Sequence, residues 1–378
     1  MNPAFWKNRR VLVTGHTGFK GSWLTLWLRE VEALTAGYSL AVPPSKPDLF
    51  ALGKLAQDCT LDARGDVGDR AALRAAFAEA KPEIVFHLAA QPLVRASYRD
   101  PAETWRVNVQ GTLAVLEACR DCDSVKTIVV ITTDKVYENP ESGHPFREDS
   151  PLGGYDPYSA SKAACEILCA SWRRSFLAAS TDNGSTERGV GLATARAGNV
   201  IGGGDFAEDR LVPDLVRAHI ANSITSLRYP EAVRPWQHVL EPLAGYLLLA
   251  EKLHADPVTY ATAFNFGPDK NDFRPVRNVA DGICAVLRSR WEHQKSPQPH
   301  EAGLLRLDSS RAETMLDWKP QLPFAETLRW TADWYAGWLQ DGDAAARGLT
   351  LDQIRNYARL VSKMAAPSAL ENQGTAAP

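Results

Sequence analysis

No stretch of this sequence is long and apolar enough to be buried in a bilayer. The aliphatic run Leu247-Leu248-Leu249-Ala250 falls far short of the ~20 residues a membrane helix needs, and Met1 to Arg10 has no apolar signal core. A cytoplasmic location without a membrane partner is expected. Excess charge of one sign is also missing: 42 Lys and Arg face 45 Asp and Glu, so a net charge of −3 offers no polybasic surface and nucleic acid is not expected as a partner. The six cysteines are scattered, and the close pair Cys119-x-x-Cys122 has neither a second pair nor a histidine cluster beside it, so no metal site is expected. What remains is a 378-residue chain, 45% apolar and 23% charged, large enough for one sheet domain carrying a smaller lobe and suited to a small-molecule partner.

Against these absences stand three signals in a fixed order. A short apolar strand, Arg10 to Thr14, runs into Gly15-His-Thr17-Gly18-Phe19-Lys20-Gly21 and then an apolar helix from Ser22 to Glu30. Glycines at that spacing let a turn tighten and let backbone amides approach a pyrophosphate at the positive end of the helix. Further on, Thr127 to Lys135 reads as a strand ending in Thr133-Asp134-Lys135, and Pro157 opens a helix bearing Tyr158 and Lys162 one turn apart on one face. A phenol ionises near ~10 and is a poor base at neutral pH; an adjacent ammonium would lower that value and let Tyr158 accept a hydroxyl proton. Alone, Tyr-x-x-x-Lys recurs by chance, and its place after the glycine turn and the apolar strand gives it meaning.

Between these signals, strands at Leu34–Leu40, Leu61–Val67 and Glu83–Ala90 alternate with helices at 70–80 and 108–122, and a sixth strand follows at 189–196. This alternation predicts an α/β fold, a Rossmann-type doubly wound parallel sheet. Asp66 and Val67 end the third strand where an adenine could be held, although Asp66 could instead cap the next helix. Leu88, Ala89 and Ala90 are small enough to leave room for ribose and nicotinamide, His87 reads as a packed strand residue, and Asn108 can bind backbone near the site. No acid follows the second strand, so NAD and NADP both remain open; Lys20 or Ser39 could tolerate a 2′-phosphate, while the lack of an arginine there favours NAD. The loop from Asn139 to Pro157 suits a substrate cover.

Beyond Gly198 the chain changes character. Arg210 and Leu211, then Arg234 and Trp236, then Asn265, supply forks, amides and aromatic faces that suit a nucleotide diphosphate. The expected division is a dinucleotide-binding domain of residues 1–198 and 240–262, a discontinuous lobe of 199–239 and 263–364, and a disordered tail over 365–378.

With those residues in view, the sequence resembles the extended short-chain dehydrogenase/reductase family, and within it the 4,6-dehydratases of nucleotide sugars, over roughly Trp6 to Trp338. The resemblance rests on Val13-Thr-Gly-His-Thr-Gly-Phe-Lys-Gly-Ser-Trp23, His87-Leu-Ala-Ala-Gln-Pro-Leu-Val-Arg95, Gly153-Gly-Tyr-Asp-Pro-Tyr-Ser159, Arg196-Ala-Gly-Asn-Val-Ile-Gly-Gly-Gly-Asp205 and Arg234-Pro-Trp-Gln-His-Val-Leu-Glu-Pro242. It implies NAD as cofactor, a CDP-linked glucose as substrate, substrate contacts from Gln91, Arg95, Asn199, Arg210, Leu211, Arg234, Trp236 and Asn265, and a homodimer or homotetramer formed through two helices. It further implies that Tyr158, with Thr133 and Lys162, removes the proton of the C4 hydroxyl, and that Asp134 is the acid at C6. Lys135 stands where related dTDP-sugar enzymes carry glutamate; as the base at C5 it must be neutral. An epimerase or reductase of the same family would share Tyr158 and Lys162 but has no need of the Asp134-Lys135 dyad.

Overall fold

The computed structural model describes residues 1–42, 45–177, 189–294 and 302–365. The expected disordered tail lies outside these residues except for Ala365, which closes the last helix.

Seven strands form one parallel sheet: β1 (Arg10–Thr14), β2 (Leu34–Ser39), β3 (Leu61–Arg64), β4 (Ile84–His87), β5 (Thr127–Ile131), β6 (Gly191–Ala197) and β7 (Ala263–Phe266), in spatial order β7-β6-β5-β4-β1-β2-β3. β4, β5 and β6 are buried along their whole length, which is why they read as mostly apolar runs, broken by His87 and Arg196, rather than as alternating patterns. Helices cover both faces: α1 (Phe19–Glu30), α2 (Arg70–Ala80), the short α3 (Val94–Arg99) and α4 (Pro101–Trp105), α5 (Gly111–Asp121), α6 (Pro157–Trp172), α7 (Leu211–Ile220), α8 (Leu240–Ala255), α9 (Val276–Leu287), α10 (Phe324–Asp341) and α11 (Ala346–Ala365).

Several boundaries differ from expectation for identifiable reasons. α1 starts one turn early because the second half of the glycine motif is already its first turn, capped by Gly18. β4 and β5 stop at His87 and Ile131, so Leu88 to Ala90 and Thr133 to Lys135 lie in the loops above the sheet; Asp134–Val136 forms a 3-10 turn. The helix expected from Asn108 is divided into a π-turn, Arg106–Gln110, and α5. α6 begins at Pro157, as the sequence predicts, because Asp156 accepts the Ser159 amide at 2.9 Å.

The domain boundary expected at residue 262 falls too early. β7 pairs with β6 inside the main sheet, from Ala263 opposite Thr194 to Phe266 opposite Ala197. The C-terminal helix α11 also packs against α1 and the segment before β3. Tyr357 lies edge-on to Trp27 of α1 at 5.7 Å, Arg355 pairs with Glu30 at 2.6 Å, and Arg347 pairs with Asp58 at 2.7 Å. One apolar cluster runs from β1 and α1 through α8 into α9 and α10, so one face of the sheet and the lobe share an interior. Among the described residues no helix is long and apolar enough to cross a membrane, and no group of three or more His, Cys, Asp or Glu could hold a metal ion.

Candidate active site

A cavity of about 600 Å³ opens at the carboxyl ends of the central strands, the usual ligand position in a doubly wound sheet. Its floor is the glycine turn. Gly15 has φ +76°, and a Cβ there would stand 2.7 Å from the Ala89 nitrogen; a Cβ on Gly21 would come within 2.1 Å of the Gly15 carbonyl oxygen. The turn therefore closes only with glycine at both places, which leaves the amino end of α1 bordering the cavity as a seat for a pyrophosphate. Gly15, Thr17, Gly18, Phe19, Lys20, Gly21, Asp66, Val67, Leu88, Ala89 and Ala90 all line it.

At the far end of this floor, Tyr38, Ser39 and Leu40 close off β2. Beneath them His16 is wholly buried, with Nδ1 2.9 Å from Ser39 Oγ and Nε2 2.8 Å from Asp62 Oδ1. Asp66 is not a helix cap. That role falls to Asp69, while Asp66 receives both arms of Arg106 at 2.9 and 2.7 Å and is held below the usual carboxylate range by that contact. Lys20 does not stand with Ser39 as a phosphate receptor. Its ammonium reaches the Tyr246 hydroxyl at 3.5 Å among Arg210, Asp134, Lys162 and Asp205, and burial, then Arg210, push it down to about 7.

The reactive groups meet at the opposite end. Thr133 caps the 3-10 turn and donates to Asp134 Oδ1 at 3.0 Å, while the Lys135 amide donates back to Thr133 Oγ1 at 3.4 Å. Asp134 is 2% exposed, and its Oδ2 is left without a hydrogen-bond partner. Burial raises its pKa against the lowering charges of Lys135, Arg234 and Lys20, so the carboxyl is biased toward its protonated form. Tyr158 is pushed up to about 12 by burial, with the Thr133 hydroxyl and then Arg210 pulling the other way. The expected lowering of Tyr158 by Lys162 is not found. The Lys162 ammonium donates instead to the Ile131 carbonyl at 3.1 Å, and its own pKa is lowered by burial.

The structure sorts the residues read as substrate contacts. Arg95, Asn199, Arg210, Leu211, Arg234 and Trp236 line the cavity; Arg95 pairs with Asp209 at 2.9 Å and Arg210 with Asp205 at 3.0 Å. Gln91 and Asn265 do not line it, and neither does Asn108, expected to bind backbone near the cofactor. Asn108 Oδ1 accepts the Gln91 amide at 2.8 Å and its Nδ2 donates to Ser161 Oγ at 2.9 Å, so these side chains brace the loop after β4 against α6. Asn265 is fully buried: its Oδ1 accepts the Tyr137 hydroxyl at 2.6 Å, and its Nδ2 donates to the Phe146 and Asp308 carbonyls. The segment from Asn139 to Pro157 is folded back rather than laid over the cavity, with Phe146 stacked on Tyr137 at 4.9 Å. Asp205, Asp209, Arg228 and Tyr229 also line the cavity and were not singled out. Asp205 closes the glycine-rich motif that begins at Arg196 and Asp209 directly precedes Arg210, whereas Arg228 and Tyr229 follow a three-residue strand with no periodic signal.

Residues 11–267 match the NAD dependent epimerase/dehydratase family. A CDP-glucose 4,6-dehydratase from Salmonella typhimurium is 45% identical over 341 residues, covering 90% of this chain and 94% of that protein. A dTDP-glucose 4,6-dehydratase from Streptomyces antibioticus is 30% identical, covering 86% and 92%. Among solved structures, the UDP-glucose 4-epimerase of Thermus thermophilus in complex with NAD is 26% identical with a TM-score of 0.73, covering 87% of this chain and 99% of the other. With a family match across the whole sheet and a relative this similar from end to end, the chain belongs to the NAD dependent epimerase/dehydratase family.

Proposed function

We propose that this protein converts CDP-glucose to CDP-4-keto-6-deoxyglucose and water, with NAD as a cofactor that is regenerated in each cycle. The carrying observation is Asp134, a buried carboxyl with its pKa raised and one oxygen unpartnered, on the same turn as Lys135 and within the cavity that also holds Tyr158 and Lys162. Elimination needs an acid in that place; inversion at C4 does not. The similarity to the Salmonella CDP-glucose 4,6-dehydratase supports the choice of nucleotide.

The glycine turn fits NAD because a Cβ at Gly15 or Gly21 would strike the backbone and keep the turn from closing under a pyrophosphate, and Asp66, Val67 and Ala89 would border its adenosine and ribose. When bound, NAD supplies the acceptor and later the donor of one hydride. Tyr158, assisted by the Thr133 hydroxyl and with Lys162 one helical turn on, takes the C4 hydroxyl proton as that carbon is oxidised. The C4 ketone acidifies the hydrogen at C5, for which Lys135 is the neighbouring base. Asp134 gives its proton to the C6 hydroxyl, which leaves as water, and the resulting C5–C6 double bond takes the returned hydride at C6 and a proton from Lys135 at C5. Arg95, Arg210 and Arg234 would hold the diphosphate, and Trp236 would flank the nucleotide.

The test is to incubate the protein and NAD with CDP-, dTDP-, GDP- and UDP-glucose, each deuterated at C4, and to follow the alkali-induced absorbance of a 4-keto-6-deoxy sugar. Product from CDP-glucose, with the deuterium on its new methyl group, is expected. Product from another nucleotide alone, or loss of the label to water, overturns the proposal.

A further inference from the structure

A buried ion pair lies directly behind the catalytic turn. Glu166 and Arg196 have side chains 2% and 4% exposed, and their charged atoms are 2.9 Å apart. Glu166 follows Lys162 by one helical turn, so Tyr158, Lys162 and Glu166 form one inward stripe on α6. Two of the pair's other bonds go to residues flanking the catalytic turn. Glu166 Oε1 accepts the Thr132 hydroxyl at 2.5 Å, and Arg196 Nη1 donates to the Tyr137 hydroxyl at 2.9 Å while its guanidinium lies over the Tyr137 ring. Thr132 and Tyr137 are the residues on either side of Thr133–Val136, so the two halves of one ion pair grip the two ends of the turn that carries Asp134 and Lys135.

Further bonds fix the pair itself. Glu166 Oε2 accepts the Thr194 hydroxyl at 2.7 Å, Arg196 also donates to the Glu148 carbonyl at 3.1 Å, and the Tyr137 hydroxyl in turn donates to Asn265. Although burial opposes ionisation, Arg196 and the surrounding donors hold Glu166 below the usual carboxylate range, so the pair is charged. Charges taken out of water in this way are a poor source of stability, since apolar side chains of similar volume often serve as well or better. What apolar side chains cannot do is hold a threonine hydroxyl and a tyrosine hydroxyl at set places.

We propose that Glu166 and Arg196 are positioning residues that set the Thr133–Val136 turn against Tyr158 and Lys162, and that turnover depends on this placement. The proposal rests on the dehydratase reading for its kinetic readout alone. The test compares wild type with the double variant Glu166→Met/Arg196→Met and with Glu166→Gln, measuring thermal unfolding, CDP binding, kcat and KM for CDP-glucose. The double variant is expected to unfold cooperatively and to bind CDP as wild type does, with KM within about twofold and kcat down by about a hundredfold, the scale of a small misplacement of reacting groups. A folded double variant with wild-type kcat overturns the proposal. Should the double variant not fold, Glu166→Gln, which keeps the volume and part of the hydrogen bonding, is judged by the same ratio. A crystal structure of the folded variant gives an answer independent of the substrate: the turn shifts against Tyr158 if the pair positions it, and stays if it does not. A wild-type protein inert toward CDP-glucose would instead count against the dehydratase reading and leave the crystallographic comparison to decide the role of the pair.

Discussion

Lys162 donates its ammonium proton to the carbonyl of Ile131 at 3.1 Å, joining α6 to the last residue of β5. This bond places a positive charge between the strand that leads to Thr133 and the helix that presents Tyr158, without spending it on the phenol. Lys162→Met removes both the charge and the bond. Tyr158 is pushed up to about 12 by burial, and Arg210 rather than Lys162 is the cation that pulls it back, so what the variant removes is the tie that sets α6 and its Tyr158 against the end of β5. We expect kcat to fall by about a hundredfold or more, with the thermal midpoint unchanged or higher because a buried charge has been removed. Initial rates and thermal unfolding of the variant check this; a kcat near that of wild type would show that Lys162 only braces the fold.

Asp134 acts as an acid only while it holds its proton. Because its pKa is raised by burial, the protonated form survives to higher pH than for an ordinary aspartate and is lost as pH rises through that raised value. Tyr158 acts in the opposite sense, gaining basic form as pH rises. The kcat profile should therefore climb with pH while Asp134 keeps its proton and level off once Asp134 begins to lose it, and Asp134→Asn should lower kcat by ~10²–10³ and let the climb run on past that point. Oxidation at C4 needs no acid at Asp134, so near-ultraviolet absorbance of reduced nicotinamide should accumulate in this variant. A variant with wild-type kcat and profile would exclude Asp134 as the acid.

The features legible in the sequence are those written in contiguous residues. The glycine turn, the helix over 70–80, and the Tyr158–Lys162 stripe behind Pro157 each follow from a short window in which spacing and local chemistry agree. Asn265 misled because an amide in a loop-like Asn-Phe-Gly context reads as a ligand contact, yet β7 carries it into the sheet beside Tyr137, a residue more than a hundred positions earlier. Lys20 misled similarly, since the helical turn after Gly18 sends it toward Tyr246 and Arg210 rather than toward Ser39. Grips such as Thr132 on Glu166 depend on which strands become neighbours, and single-chain spacing carries no record of that.

Glu241 predicts a pH dependence of stability away from the cavity. It is fully buried; Oε1 accepts the Gln321 and Leu322 amides at 2.9 and 2.6 Å, and Oε2 accepts the Tyr357 hydroxyl at 2.6 Å. Burial pushes its pKa up to about 7. A raised carboxyl holds a proton in the folded chain that the unfolded chain releases, so its contribution is full below the ordinary glutamate value and is lost as pH rises through about 7. Glu241→Gln fixes the neutral form. It should leave the midpoint near about pH 5 unchanged and raise it near about pH 8, by at most on the order of 3 kcal/mol. Parallel midpoint curves for the two proteins would sink this reading.

A row of exposed apolar side chains marks the outer side of α3, α4 and α6. Tyr98, Trp105 and Ile167 are 39%, 42% and 59% exposed, and Ala160, Ala164 and Leu168 on the same side of α6 are only partly covered. Large apolar groups gathered on adjoining helices are costly to leave in water, and a second copy of the same face covers them by pairing helix against helix. The protein is therefore expected to be a dimer built on α6 and its neighbours, burying roughly 1,200–2,000 Å² in total if it is of ordinary size. Ile167→Glu would place two like charges near the twofold axis in a dry contact. Light scattering after size exclusion should then report a monomer that still folds, because Ile167 contributes little to the protomer's own core. A wild-type chain that is monomeric at micromolar concentration, or an Ile167→Glu variant that remains dimeric, would place the interface elsewhere.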